Sequence, residues 1–189
     1  MYTNLVISVD ELWLKGRNRN IYLRAALGHI NAVIKNYHTD KFSQRTLSQR
    51  LLYTSETPFS DELIQSVLKV PGIASVSPCR IIKRNRDQDL ENVYEEILKE
   101  VSFFKTEHKL FRATVRKNDK SIVMTSTEIA REIGHRILVA YPLAKVDINN
   151  PEVVVDVRIL DDEVSISSKT TRGIGGLPWG SSGSAVTML

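Results

Sequence analysis

The sequence predicts an α+β protein of two domains, and three observations carry that reading. Short β-branched runs alternate with stretches whose apolar residues recur at a helical period. The first six elements follow the order β-α-β-β-α-β, and a charged polar stretch, Lys83 to Asp89, then divides the chain before a second mixed set begins. With 189 residues, 42% of them hydrophobic and 25% charged, the chain is long enough to bury two modest cores.

Asn4 to Val9 alternates as a strand does, and Asn18 to Tyr37 then shifts to a helical period, with Leu23, Leu27, Ile30, Ile34 and Tyr37 on one face. Lys41 to Thr46 and Arg50 to Thr54 read as a hairpin around Leu47-Ser48-Gln49, a turn without an Asn-Gly signal. Ser60 is placed to cap the next helix and Phe59 to staple onto Ile64; Leu63, Ile64, Val67 and Leu68 form its stripe before Val70-Pro71-Gly72 ends it. Ile73 to Ile82 supplies the fourth strand. This order is that of a ferredoxin-like unit, in which two helices cover one face of an antiparallel sheet, and it assigns 1–82 to the first domain.

In the second set, Leu90, Val93, Tyr94, Ile97, Leu98 and Val101 mark a helix, and Leu110 to Arg116 a strand. Thr125-x-x-Glu128 is a capping box ahead of a helix striped by Ile129, Ile133, Ile137 and Ala140. Lys145 to Ile148, Val153 to Ile159 and Val164 to Ser168 read as three more strands, which makes 83–171 a second α+β domain. The tail, from Gly173 to Gly183, is rich in turn formers and reads as a flexible linker. Its Gly173-x-Gly175-Gly176 has neither the Gly-Lys-Ser/Thr of a phosphate loop nor the context of a dinucleotide fingerprint. Ala185 to Leu189 resembles the opening strand of a further domain, so 172–189 is assigned to a linker and that strand.

The longest apolar run, Ile137 to Ala144, is too short to cross a bilayer and contains Pro142. The first dozen residues carry Asp10 and Glu11 and no leader pattern. Cys79, the single cysteine, permits no internal disulfide and no cysteine metal cage, which suits a reducing cytoplasm. The four histidines are scattered without a partner at ligand spacing, and no nucleophile motif is present, so neither catalytic nor metal-binding residues are assigned.

The net charge of +4 hides an uneven distribution: 1–90 carries +5, 91–100 carries −3, 101–145 carries +5 and 146–189 carries −3. Basic blocks of this kind attract a polyanion, and they equally suit a mixed solvated surface. Arg112, Arg116, Lys117 and Lys120 lie on a strand and on the turn running toward a helix start near Thr125, a combination of cations, hydroxyl and backbone N–H suited to phosphate. A charged, protected sheet edge would look the same. The same two readings apply to Lys15, Arg17, Arg19 and Arg24 in the first domain, and packing over the first helix equally suits Arg24.

Five strings in order resemble one family, the tRNA 4-thiouridine synthetases, which are tRNA sulfurtransferases also tied to thiamine thiazole synthesis. They are Asp10-Glu11-Leu12-Trp13-Leu14-Lys15-Gly16-Arg17-Asn18-Arg19; Val70-Pro71-Gly72-Ile73; Val115-Arg116-Lys117-Asn118-Asp119-Lys120 with Glu128 to Gly134; Asp147-Ile148-Asn149-Asn150-Pro151; and Gly175-Gly176-Leu177-Pro178-Trp179-Gly180. The resemblance implies a THUMP domain over 83–171, and a pyrophosphatase-type catalytic domain, with its ATP, Mg and sulfur-carrying cysteines, beyond Leu189. On this reading the chain is non-catalytic itself and docks the tRNA acceptor stem and 3′ end for that domain, which a cysteine desulfurase supplies with sulfur. Lys15, Arg17 and Arg19 then serve the stem and Arg116, Lys117 and Lys120 the unpaired end, with Arg112 and Thr125 also among the RNA-binding residues. Asp10 stands where the family usually has Gly, Arg116-Lys117 reverses the usual order, and Ile122 replaces a common aromatic, so base stacking is not implied there. The rival class is a regulatory or protein-interaction module on the same fold, which salt dependence of RNA binding separates.

Overall fold

The structure is a computed structural model that describes residues 2–9, 19–47, 49–84, 90–119, 121–160 and 162–181. It divides into two compact units, one of Met1–Pro78 with Thr171–Leu189 and one of Cys79–Thr170.

In the first unit the elements are β1 (Asn4–Ser8), α1 (Arg19–Tyr37), β2 (Phe42–Leu47), β3 (Arg50–Ser55), α2 (Asp61–Leu68) and the start of β4 (Ile73–Lys83). The strand order β2-β3-β1-β4, with antiparallel β1/β3 and β2/β3 pairs, is that of the ferredoxin-like unit. Period-two alternation sends Leu5, Ile7, Leu51 and Tyr53 into one core with Ala26, Ile30 and Ile34 of α1 and Leu63 and Val67 of α2. Ser60 caps α2 by accepting from Leu63 N at 3.1 Å, and Gly72 at φ +95° turns the chain into β4. Tyr37, expected on the buried stripe, is 46% exposed, and its successor His38 is buried instead, its Nε2 2.6 Å from Ser55 Oγ and its ring 4.9 Å from that of Phe59. The hairpin turn lacks a glycine, and Gln49 adopts φ 65° there.

The tail departs from the linker reading. Thr171–Gly175 forms a strand, β9, antiparallel to β4 with Ile73 opposite Gly175 and Val76 opposite Thr171. Gly173 permits it, since a Cβ there would lie 2.3 Å from Ile73 O. Gly72 N donates to Gly175 O at 2.7 Å, and Pro178 packs where a side chain on Gly72 would stand. Ala185 to Leu189, read as a further strand, lies outside the described residues.

The second unit contains the rest of β4, α3 (Glu91–Glu100), a short 3-10 turn (Ser102–Lys105), β5 (Lys109–Lys117), α4 (Ser126–Ala140), β6 (Ala144–Val146), β7 (Val153–Ile159) and β8 (Glu163–Ser167). The order is β4-β8-β7-β5-β6, with β5 parallel to both β6 and β7 and the other pairs antiparallel. The core joins Val93 and Ile97 of α3, Ile129, Ile133 and Ile137 of α4, and Phe111, Val115, Val155 and Val157 of the sheet. Ala140 is exposed; Tyr141 closes the core end, its hydroxyl donating to Leu98 O at 2.7 Å. The stretch 83–89, read as a junction, begins inside β4, whose residues 80–83 pair with β8, and 85–89 lie outside the described residues. Among the described residues no helix is long and apolar enough to cross a membrane, and Cys79 is buried and in no disulfide.

Candidate nucleic-acid interface

The basic residues of the second unit are positioned by β5 and by the loop that carries the chain from β5 into α4. Alternation along β5 buries Phe111 and Val115 in the core and leaves Arg116 exposed. Arg112 is half-buried: its Nη1 donates to Ile148 O at 3.0 Å, while its Nε is buried with no partner among the described residues. Lys117 turns back onto its own loop, Nζ donating to Ile122 O at 2.6 Å. Ile122 is itself in the core, so the residue standing at the family's aromatic position offers no surface ring, whereas the next residue, Val123, is 97% exposed.

At the start of α4 the capping box is complete. Thr125 Oγ1 accepts from Glu128 N at 3.2 Å, and Thr125 N and its hydroxyl donate to Glu128 Oε2 at 2.7 and 2.8 Å. The backbone N–H and then the hydroxyl of Thr125 hold the Glu128 carboxyl below its ordinary pKa, with Arg131 and Lys117 adding to the effect. The hydroxyl that the sequence reading offered to a ligand is therefore already engaged, and a carboxylate stands at the helix start. Any attraction for an anion at this helix start would have to come from cations beyond that first turn.

Two cavities flank α4. The larger, about 760 Å³, is lined by Val123, Met124, Thr125, Glu128, Arg131, Glu132 and His135. The second, about 540 Å³, has Phe111, Ala113, Ala130, Leu138, Val146 and Ile148 as an apolar lining, with Arg112, Arg131 and His135 among its polar groups. Arg131 and His135 belong to both. They are one helical turn apart on the face opposite the Ile129, Ile133 and Ile137 stripe, and Gly134 beside them leaves the space above it open. Glu132 is drawn off by Arg136 Nε at 2.6 Å, and Arg136 in turn makes two 2.8 Å hydrogen bonds to Glu91 and lies 4.2 Å from the centre of the Tyr94 ring.

Of the residues selected from sequence, Arg112 and Thr125 thus meet through the shared pair Arg131 and His135, which the sequence reading missed. Their signal was available as two basic or titratable side chains at i, i+4 on the polar face of a helix. Arg116 and Lys117 line neither cavity. Lys120, Lys15 and Arg17 lie outside the described residues, and Arg19 opens α1 with its side chain likewise outside them.

Comparison with known proteins places both units. Residues 4–77 match the ThiI ferredoxin-like domain and residues 86–169 the THUMP domain. Over its whole length the chain is 31% identical to the probable tRNA sulfurtransferase of Mycoplasmopsis agalactiae and 33% identical to that of Lachnospira eligens, covering 46% and 48% of those proteins. The chain spans about half the length of the curated relatives it matches. Among solved structures, it has the fold of PH1313 from Pyrococcus horikoshii (TM-score 0.79, 21% identity, covering 96% of this chain and 58% of that one). It shares that fold also with a 4-thiouridine synthetase solved as an RNA complex with bound ATP (TM-score 0.73, 23% identity, 96% and 44%). The chain thus carries a ThiI ferredoxin-like domain ahead of a THUMP domain, and along its whole length it is similar to the tRNA sulfurtransferases.

Proposed function

We propose that this chain is the tRNA-docking portion of a tRNA sulfurtransferase, holding the acceptor region and its single-stranded 3′ end. The observation that carries the reading is the pair of cavities astride α4: an apolar lining bordered by Arg112, Arg131 and His135, adjoining an N-capped helix start. A single-stranded nucleotide presents a flat apolar base and an anionic phosphate together, and that lining matches both. A-form RNA hides its major groove, so phosphates, 2′-hydroxyls and unpaired bases are the groups open to such a surface. Arg116, exposed on β5, adds charge toward the phosphate backbone, and Lys15, Arg17 and Arg19 take the paired stem.

In this reading the chain performs no covalent step. ATP and Mg are used by a catalytic domain of the longer protein, and a cysteine desulfurase delivers the sulfur there. The docking portion contributes orientation, holding the end of the RNA so that the target uridine is presented in one geometry. The test is binding of the chain to an acceptor minihelix with and without its unpaired 3′ nucleotides, titrated against salt. With about four to six phosphates neutralised on a duplex, log K falls against log salt with a slope of roughly −3 to −5. The minihelix lacking its overhang binds more weakly. A slope near zero combined with indifference to the overhang rejects RNA docking in favour of a regulatory or protein-interaction module.

A further inference from the structure

The loop between β5 and α4 is organised by an ion pair that makes no contribution to the cavity lining. Arg84 Nη2 donates to Asp119 Oδ2, with the two side chains only 4% and 8% exposed. The other carboxylate oxygen accepts from Ser121 N at 2.7 Å, and Arg84 Nη2 stands 3.4 Å from Ser121 Oγ. Arg84 N donates to Asp162 O, just ahead of β8, at 2.9 Å, and Asn118 N donates to Ile159 O, the last residue of β7, at 3.0 Å. Lys117 completes the closure through Ile122 O.

Stability alone is a poor explanation for this pair. Burying two charges costs desolvation that their attraction offsets only in part, and an apolar pair of similar volume often serves as well or better. Arg84 Nε, moreover, is buried without a partner among the described residues, a further cost. What the pair does supply is a fixed link from Arg84 to Asp119 and Ser121, in the stretch that leads to Val123 and Thr125 in the lining of the larger cavity.

We propose that Arg84 and Asp119 are positioning residues for RNA: without touching the ligand, they preorganise the β5–α4 loop so that the groove beside α4 accepts the unpaired 3′ end. This rests on the RNA-docking reading above. The double variant Arg84→Met with Asp119→Leu removes both charges together and leaves neither partner stranded. In the 189-residue chain its melting temperature, its affinity for the minihelix with and without overhang, and its salt slope are compared with the unsubstituted chain.

The expected result is a folded variant that binds the overhang-bearing minihelix about tenfold more weakly, since the ordering of the loop must now accompany binding. The trimmed minihelix binds unchanged, and the salt slope is unaltered because no phosphate contact has been removed. Unchanged affinity for the overhang overturns the inference, as does equal weakening of both RNAs. Absence of RNA binding by the unsubstituted chain rejects the docking reading itself, and the inference with it. Where the double variant melts below the assay temperature, Asp119→Asn and Asp119→Glu are compared instead. Loss of overhang preference in the first with rescue in the second supports the pair, and identical behaviour of the two overturns it.

Discussion

Helices α2 and α4 begin in nearly the same way, yet only one of them stands at a candidate binding site. Each has a hydroxyl N-cap in extended conformation, Ser60 before α2 and Thr125 before α4, accepting from the residue three positions on. The first turn of α2 carries Asp61 and Glu62, and its buried residues Leu63, Ile64, Val67 and Leu68 commit it to the core of its unit. The first turn of α4 carries Glu128 alone, is approached by Lys117 and Arg131, and opens on two cavities. The same cap thus stands in two different charge surroundings, and in both the cap by itself is a stability device.

The sharpest way to break this contrast is to remove the cations from α4's side. Arg112→Ala with Arg131→Ala is expected to weaken binding of overhang-bearing RNA by about 2–4 kcal/mol, treating each as a charge-assisted contact that is partly exposed. The melting temperature stays within a few degrees of the unsubstituted chain's in the same buffer, and titration by fluorescence anisotropy measures the loss. Equal loss on trimmed RNA would place these arginines on the stem rather than on the unpaired end.

Next in size, Arg116→Ala is expected to cost about 1 kcal/mol of affinity and to reduce the salt slope by about 0.7–0.9, the loss of one phosphate contact. Lys117→Ala behaves differently, because its ammonium is spent on Ile122 O: it loosens the loop and lowers affinity with less change in slope. A matched pair of salt titrations separates the two.

The caps give a smaller, symmetrical effect on stability. Ser60→Ala and Thr125→Ala are each expected to destabilise by about 1 kcal/mol in chemical denaturation. Only the second should also alter RNA binding, and an effect of Ser60→Ala on RNA would dissolve the distinction between the two helix starts.

The smallest effect is on pH dependence. Glu128 has its folded-state pKa lowered from 4.5 by the Thr125 N–H and hydroxyl, so its contribution to stability is present above that value and is lost as the pH falls through the lower, folded-state pKa. Glu128→Gln should therefore lower the melting temperature at neutral pH, where the carboxylate is ionised, and converge on the unsubstituted chain as the pH falls below 4.5, so that the acid limb is flattened. An unchanged acid limb would show that the capping carboxylate is not coupled to folding.

Much of this molecule is legible in its sequence, and the legible part is local. Ser60 and Thr125-x-x-Glu128 announced their helices because capping acts across three residues, and the stripes Leu63, Ile64, Val67, Leu68 and Ile129, Ile133, Ile137 declared buried faces because the helical period is intrinsic to the backbone. The six-element order of the first unit followed from such signals. Of the candidate site, Arg112 and Thr125 were identified from charge density and a cap, while Arg131 and His135 were overlooked because single polar residues on a helix face carry no mark of what lies opposite them.

What tertiary structure alone decided are contacts between residues far apart in the chain. The tail read as a linker because its glycines are turn formers, yet Gly173 lets β9 lie against β4, roughly a hundred residues earlier. The exposed-looking Lys117 is turned onto a carbonyl, and Arg84 finds Asp119, 35 positions away, in a buried pair that composition presents as two surface charges. Periodicity and capping are set by neighbours within one helical turn or strand pair, so they survive in the sequence as patterns. Pairing across a sheet, and the choice of which charge is buried, depend on loop closure and on the desolvation offered by the assembled core, and these exist only once the chain has folded.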